Sequence, residues 1–179
     1  CAGAKHNPFE RRHRYRARLE RLFVECGQTE RTALFLPRLF AELPRASYGI
    51  RAIPAFMGPG AAASYSGPSM DGTTPGWFNA NVAGARKGPK WAMESLVAHE
   101  TVPGHHLQVA RAIELRELPA FRRRLWITAY GEGWGLYAES LGRDLGMYTD
   151  PYQYFGSLTA EMWRAVRLVV DTGMHAKGW

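Results

Sequence analysis

Cysteine is almost missing: the chain of 179 residues has two, Cys1 and Cys26. Two such distant thiols supply neither a disulfide framework nor a cysteine-based metal site, whose ligands come at short fixed spacings. No apolar run approaches the roughly 20 residues of a membrane-spanning helix. No secretory signal opens the chain. No internal repeat appears along it, and no linker clearly divides two domains. Negative charge is in the minority, with 16 Asp and Glu against 23 Lys and Arg and a net charge of +7. The excess is local: Arg11, Arg12, Arg14, Arg16, Arg18 and Arg21 crowd the first stretch, and Arg122, Arg123 and Arg124 form a second cluster. A basic helix invites a nucleic-acid or anionic-membrane reading. No zinc-finger, helix-turn-helix or RNA-motif spacing accompanies it, so a solvated helix face is the plainer account and no nucleic-acid partner is expected. What the chain does have is 46% hydrophobic residues and six Trp. That composition belongs to a globular protein, and this length can bury a substantial single core.

The most informative stretch is His99-Glu100-Thr101-Val102-Pro103-Gly104-His105-His106. It nearly forms the H-E-x-x-H zinc signature, in which histidines at i and i+4 share a helical face and the Glu between them serves a metal-held water. Position i+4 here is Pro103, and the next histidines stand at i+6 and i+7. On a straight helix His105 would point about 240° away from His99, and His106 would lie about 10 Å further along the axis. Metal–nitrogen bonds are only about 2 Å, so neither pair chelates on an unbroken helix. The sequence supplies the break. Pro103 lacks an N–H and clashes with the carbonyl of residue 99, and Gly104 opens backbone angles closed to other residues. A helix restart there brings a second histidine back towards His99. The spacing alone leaves His105 and His106 both open.

A two-histidine zinc site takes a third protein ligand and leaves one position for water. Gly131-Glu132-Gly133-Trp134-Gly135-Leu136-Tyr137-Ala138-Glu139 offers two carboxylates on one helical face, at i and i+7. Glu132 lies 33 positions after His99, enough chain to turn at Leu118-Pro119 and return antiparallel. Glycines flank it and let the backbone come close to a neighbour. Glu139 is the competitor, with a supporting role behind a ligand as its other reading.

These motifs resemble those of a large bacterial family, domain of unknown function 885. The segment H-E-T-V-P-G-H-H-L-Q (99–108) is similar to its H-E-x-x-P-G-H-H-L-Q signature. Three further segments fit in order: S-M-D-G-T-T-P-G-W-F-N-A-N (69–81), E-G-W-G-L-Y-A-E (132–139) and R-L-V-V-D-T-G-M-H-A-K-G-W (167–179). The resemblance covers residues 42–179, while 1–41 match poorly. It implies a zincin-like metallopeptidase relative of the Glu-ligand type. The E-G-W-x-L-Y-x-E segment is also similar to the E-G-F-A-x-Y-x-E helix of zinc aminopeptidases, whose first Glu binds zinc, which favours Glu132. A motif one residue shorter, H-E-x-x-G-H, occurs in dipeptidyl peptidases of another zinc family, and its final His is a ligand, which favours His105.

The expected chemistry follows. Zinc on His99, His105 and Glu132 would acidify a water and polarise a carbonyl. Glu100 would take the water's proton and pass it to the leaving amine. Charge developing on the carbonyl oxygen needs a stabiliser, for which Tyr137 and His175 are the candidates; Tyr137 also reads as a core aromatic. Residues 160–175 read as a largely buried helix carrying Arg164, Asp171 and His175 along one line, with Arg167 one turn up and slightly to the side. Buried charges demand partners, so this stripe is an internal ion-pair network or a cleft wall in which an Arg grips a substrate carboxylate. Trp77–Val82 alternates as a strand. An exposed strand edge beside the metal would pair with an extended peptide, with Asn79 and Asn81 on one face; a hairpin with solvated Asn is the other reading.

The fold expected is mainly α with a small β-sheet (α+β), a zincin-like catalytic core whose sheet edge flanks the metal. A helical segment spans 1–41 and the core 42–179, the whole being one domain and a fragment of a larger helical protein. Helices are expected at 9–25, 29–41, 88–102, 105–116, 119–124, 128–146 and 152–175, and strands near 48–56, 62–66 and 77–82. The function expected is zinc-dependent hydrolysis of short peptides, a substrate size that rests on analogy with related helical peptidases. The alternatives are a non-peptidase amide or ester metal hydrolase, and a metal-stabilised binding module without turnover. Compartment and oligomeric state are not legible.

Overall fold

The computed structural model describes residues 28–81 and 89–179. The expected helix at 9–25, both cysteines and the first arginine cluster lie outside them. The described chain is α-rich with one small sheet. Helix α1 runs Gln28–Leu39, followed by strands β1 (Tyr48–Ala52), β2 (Ser64–Ser66) and β3 (Gly76–Ala80). A 3-10 turn at Lys90–Ala92 leads into α2 (Met93–Glu100), then α3 (His105–Glu114), α4 (Ala120–Arg124), α5 (Thr128–Leu141) and α6 (Pro151–Ala176).

The sheet order is β1-β3-β2. Strand β1 runs parallel to β3, with Ile50 opposite Phe78, and β2 runs antiparallel, with Tyr65 opposite Phe78. The strand at 77–82, expected to present an edge, is therefore the centre of the sheet, and both its sides are used in pairing. Its alternation sends Gly76, Phe78 and Ala80 inwards, with Trp77 and Asn79 on the other face.

Helix α2 lies between two apolar clusters. Its Val97 joins Phe78 and Ala80 under the sheet. Its Ala98, one residue on and about 100° around, joins Leu36, Leu107, Leu145, Met147 and Tyr148. Helices α5 and α6 both pack on α2. Because α2 is enclosed on both sides, its polar side chains Glu94, Ser95, His99 and Glu100 are buried too. Tyr148 ties the loop after α5 to this centre: its backbone N–H donates to Glu94 (3.0 Å) and its hydroxyl to the Glu139 carbonyl (2.8 Å). Those two bonds hold it at a left-handed φ of 58°. Leu36 of α1 shares the same cluster, so residues on both sides of position 41 pack together.

Helix α6 departs from expectation. It starts with a capping box, Asp150 and Gln153 closing on each other's backbone, with Pro151 in the first turn. Yet only Gly156 and Gly173 are buried along its length. Met162, Trp163, Val166, Leu168, Val169 and Val170 are exposed. One side rests on α2 and the Lys90–Ala92 turn, where Phe155 meets Trp91 edge-on at 5.6 Å. Among the described residues nothing covers the other side, so apolar composition alone did not decide burial. Two substitutions separate these environments. Leu145→Ala, which empties a fully buried site, lowers stability by about 2–5 kcal/mol. Leu168→Ala on the outer face of α6 changes it by less than about 0.5 kcal/mol. Urea midpoints check both, and equal losses would mean that this face is packed in solution.

Candidate metal centre

The helical ladder breaks where Pro103 and Gly104 demand it. Helix α2 ends at Glu100 and α3 begins at His105. Thr101 closes the end of α2 by donating its N–H and its hydroxyl to the Val97 carbonyl, at 2.9 and 2.7 Å. The chain then doubles over the helix end so closely that a Cβ on Gly104 would overlap the carbonyl oxygens of Ala98 and His99. The indole N–H of Trp134, reaching from α5, donates to the carbonyls of Pro103 (2.9 Å) and Gly104 (3.2 Å). The Pro103 carbonyl, in the turn, thus finds a donor on the facing helix, while the Gly104 carbonyl also accepts the first bond of α3 from the Gln108 N–H (3.1 Å).

The reversal brings the rings of His99 and His105 edge to face, with centroids 4.6 Å apart. Glu132 of α5 meets both. Its Oε2 lies 3.3 Å from Nε2 of His99 and 3.8 Å from Nε2 of His105. One ligand atom from each of the three residues lies within 4.8 Å of the others. Tetrahedral coordination with bonds of about 2.1 Å separates ligand atoms by about 3.4 Å, so the donor set is of the right size and kind for zinc. Both imidazoles are buried, while the Glu132 side chain is 54% exposed and opens the cluster to one side.

Hydrogen bonds set the tautomers. A carboxylate only accepts, so Nδ1–H of His99 donates to Glu139 Oε1 at 2.8 Å and leaves Nε2 facing Glu132. Nδ1 of His105 is directed at the amide oxygen of Gln108 (3.4 Å), whose NH2 group donates to the Tyr130 carbonyl (3.3 Å). Metal-binding histidines elsewhere carry a partner of this kind on the second nitrogen. Burial opposes the imidazolium of His99, but the hydrogen bond and charge of Glu139, joined by the charge of Glu100, outweigh it and push that pKa up. Burial, then the charge of His99, pushes His105 down.

Glu100 is buried and its Oε2 has no hydrogen-bond partner among the described residues. Burial lifts its pKa to about 7; His99 works against that rise, and Glu132 and Glu139 add to it. His106 points elsewhere. Its Nε2–H donates to the Ala46 carbonyl (2.9 Å), so Nδ1 accepts from the Tyr65 hydroxyl (2.8 Å), and its ring lies 4.6 Å from that of Tyr48. It anchors α3 to both edge strands and has no nitrogen left for a ligand.

The remaining candidates do not converge on the cluster. His175 is 74% exposed near the end of α6 and pairs with Asp171 at 3.6 Å. Eleven residues of helix place it about 16 Å beyond Arg164. Tyr137 is exposed, stacks edge-on against Trp134 at 5.8 Å and lines a groove between α5 and α6. It sits about 140° around α5 from Glu132. Asn79 accepts from Arg51 (2.6 Å) and donates to Ser64 and Ser66, which knits the three strands. Asn81 donates to the carbonyls of Pro59 and Ala61. Arg167 lies over the Trp163 ring, 5.0 Å from its centroid. Arg164, read either as part of an internal ion-pair network or as a grip for a substrate carboxylate, pairs with Glu139. Sequence reasoning missed Ser95, Gln108 and Trp126. Ser95 stands at i−4 from His99 and Gln108 at i+3 from His105, so helical spacing could have found both. Trp126, whose ring meets His105 at 5.5 Å, gives no such signal.

A family model described as bacterial protein of unknown function (DUF885) matches residues 11–179. The similarity therefore reaches well into the stretch before residue 42 that the motifs left out. A solved structure described as "the putative lipoprotein from Colwellia psychrerythraea" aligns with a TM-score of 0.85 and 38% identity over 91% of this chain. The chain spans 28% of that protein's length. No curated protein matches.

Two glycines of α5 test the close packing here. A Cβ on Gly135 would overlap the His99 ring, with Nε2 only 2.7 Å away, whereas one on Gly133 meets nothing within 4 Å. Gly135→Ala lowers stability by about 1–3 kcal/mol through overpacking. Gly133→Ala raises it by about 0.5–1 kcal/mol through backbone entropy. Thermal melts of the metal-free protein check the pair; equal shifts would mean that the His99 ring does not lie on α5.

Proposed function

This chain belongs to the bacterial DUF885 family, and we propose that it carries a zincin-like, zinc-dependent hydrolase centre acting on short peptides. One observation carries this reading: two Nε2 atoms and one carboxylate oxygen converge beside a buried carboxylate with an oxygen that has no partner among the described residues. An ordinary core satisfies its buried polar atoms. Facing nitrogens with a carboxylate between them, each imidazole oriented from behind, make a set of donors for a cation.

His99 and His105 would hold the ion through Nε2 and Glu132 through its carboxylate. When bound, zinc supplies Lewis acidity to a carbonyl oxygen and lowers the pKa of a water. Glu139 and Gln108 keep the two imidazoles in the tautomer that presents Nε2. Glu100, with an oxygen that has no partner among the described residues, accepts the proton of the attacking water and returns it to the departing amine. Glu132, on the open side, leaves room for a substrate to approach.

The test is a peptide-library assay on purified protein, with zinc content measured alongside. The wild type carries about one zinc per chain and cleaves peptides, and chelation abolishes cleavage. Glu100→Gln keeps the metal and loses about 10²–10⁴-fold in rate. Cleavage of esters or non-peptide amides alone would transfer the centre to another hydrolase class. Ligand binding that survives Glu100→Gln, without turnover by the wild type, would mark a binding module. Metal-free protein after purification in zinc would end the proposal.

A further inference from the structure

The carboxylate behind His99 is itself held from a third helix. Glu139 is buried, and beyond His99 it accepts from Ser95 Oγ at 2.5 Å. Arg164 of α6 lies across both its oxygens, with Nη2 2.6 Å from Oε1 and Nη1 3.3 Å from Oε2. Nη1 also donates to the Ala160 carbonyl (3.1 Å), which fixes the guanidinium against its own helix. Nη2 of Arg164 and Nδ1 of His99 are 3.5 Å apart because they share one acceptor, Oε1.

We propose that Arg164 is a positioning residue for the metal centre, acting through Glu139 on the ring of His99; this rests on the zinc reading above. A buried carboxylate stays charged only while donors replace the water it has lost. Ser95 approaches one oxygen and His99 the other. Arg164 spans both and stops the carboxylate plane from rotating, which a single-point donor does not do. With that plane fixed, the Nδ1–H bond of His99 has one direction, and so does the Nε2 lone pair on the opposite side of the ring. A guanidinium turned inwards in this way orients a ligand and leaves substrate recognition to other groups. The polar stripe on α6 allowed an internal ion pair for Arg164 but not its partners, because 25 positions separate it from Glu139 and 65 from His99.

An ion pair that only glued α6 to α5 would leave metal affinity alone, so affinity is the deciding measurement. Zinc binding is read by competition with a chromophoric chelator, and ligand geometry by the visible spectrum of the cobalt(II)-loaded protein. Arg164→Met weakens zinc binding about 10–100-fold and alters the cobalt spectrum while far-ultraviolet circular dichroism stays native. Arg164→Lys, which restores the charge without the fork, recovers part of the affinity. Wild-type affinity and an unchanged spectrum in Arg164→Met, with only a lower melting temperature, would overturn the proposal. If Arg164→Met does not fold, Arg164→Lys decides: weakened binding supports the positioning role and wild-type binding overturns it. A wild-type protein that takes up neither metal fails at the earlier step and removes the zinc reading with it.

Discussion

Everything at the centre of this protein depends on the chain reversing at Thr101–Gly104. Without the break, two histidines six positions apart diverge by about 240°. With it, their rings meet at 4.6 Å. The reversal is not free, because it puts the Pro103 carbonyl in a buried turn outside both helices. Trp134 supplies the missing donor from α5. The same helix contributes Glu132 to the open side of the cluster and Glu139 to its buried side. Closing the turn and assembling the donors are therefore one packing event, fixed by the approach of α5 to α2. Gly135 permits that approach, since the His99 ring lies where a Cβ would stand.

Adjacent positions in α3 divide two tasks. His105 and His106 point about 100° apart. The first faces Glu132, and the second faces the sheet, where both its nitrogens are taken. The first ring depends on the second, because a side chain at the first residue of a helix is placed only as well as that helix is held. His106 holds it from the sheet side by way of Tyr65, Tyr48 and the Ala46 carbonyl. The loop bearing Ala46 is in turn fixed by Glu114 at the other end of α3, which accepts from the N–H groups of Arg45 and Ala46.

Local chemistry in the sequence made the elements readable. Pro103 and Gly104 marked the break, with α3 starting at the expected residue and α2 ending two residues before the expected 102, and the i, i+7 spacing of Glu132 and Glu139 put both carboxylates on one face of α5. Strand alternation identified β3, but not that it would be flanked on both sides, because its pairing partners lie 11 to 28 residues away. The readings of Asn79, Asn81, Arg164 and Arg167 as substrate contacts share one weakness. Each residue type suits a ligand, but each also suits a partner within the protein, brought near by the tertiary fold in every case but that of Arg167, whose ring partner lies one helical turn away. Arg51, Pro59, Glu139 and Trp163 are those neighbours. The line Arg164, Asp171, His175 was geometrically sound on a helix. A helix of 26 residues simply outruns the site, so one end of the line reaches Glu139 and the other stands in solvent.

Buried charge shows why the cluster sits where it does. Two apolar cores meet along α2, and a carboxylate enclosed there loses its water. Glu139 replaces that water with three donors from three side chains, and the desolvation cost is offset by hydrogen bonds to charged groups. Glu100, in the last turn of α2, is enclosed equally and has one oxygen without such compensation among the described residues. Its pKa near 7 is the electrostatic expression of that difference. If the fold needed only stability at this position, an apolar side chain of similar size would serve better. A carboxyl group kept short of partners, next to two oriented imidazoles, is the arrangement that the proposed general base requires.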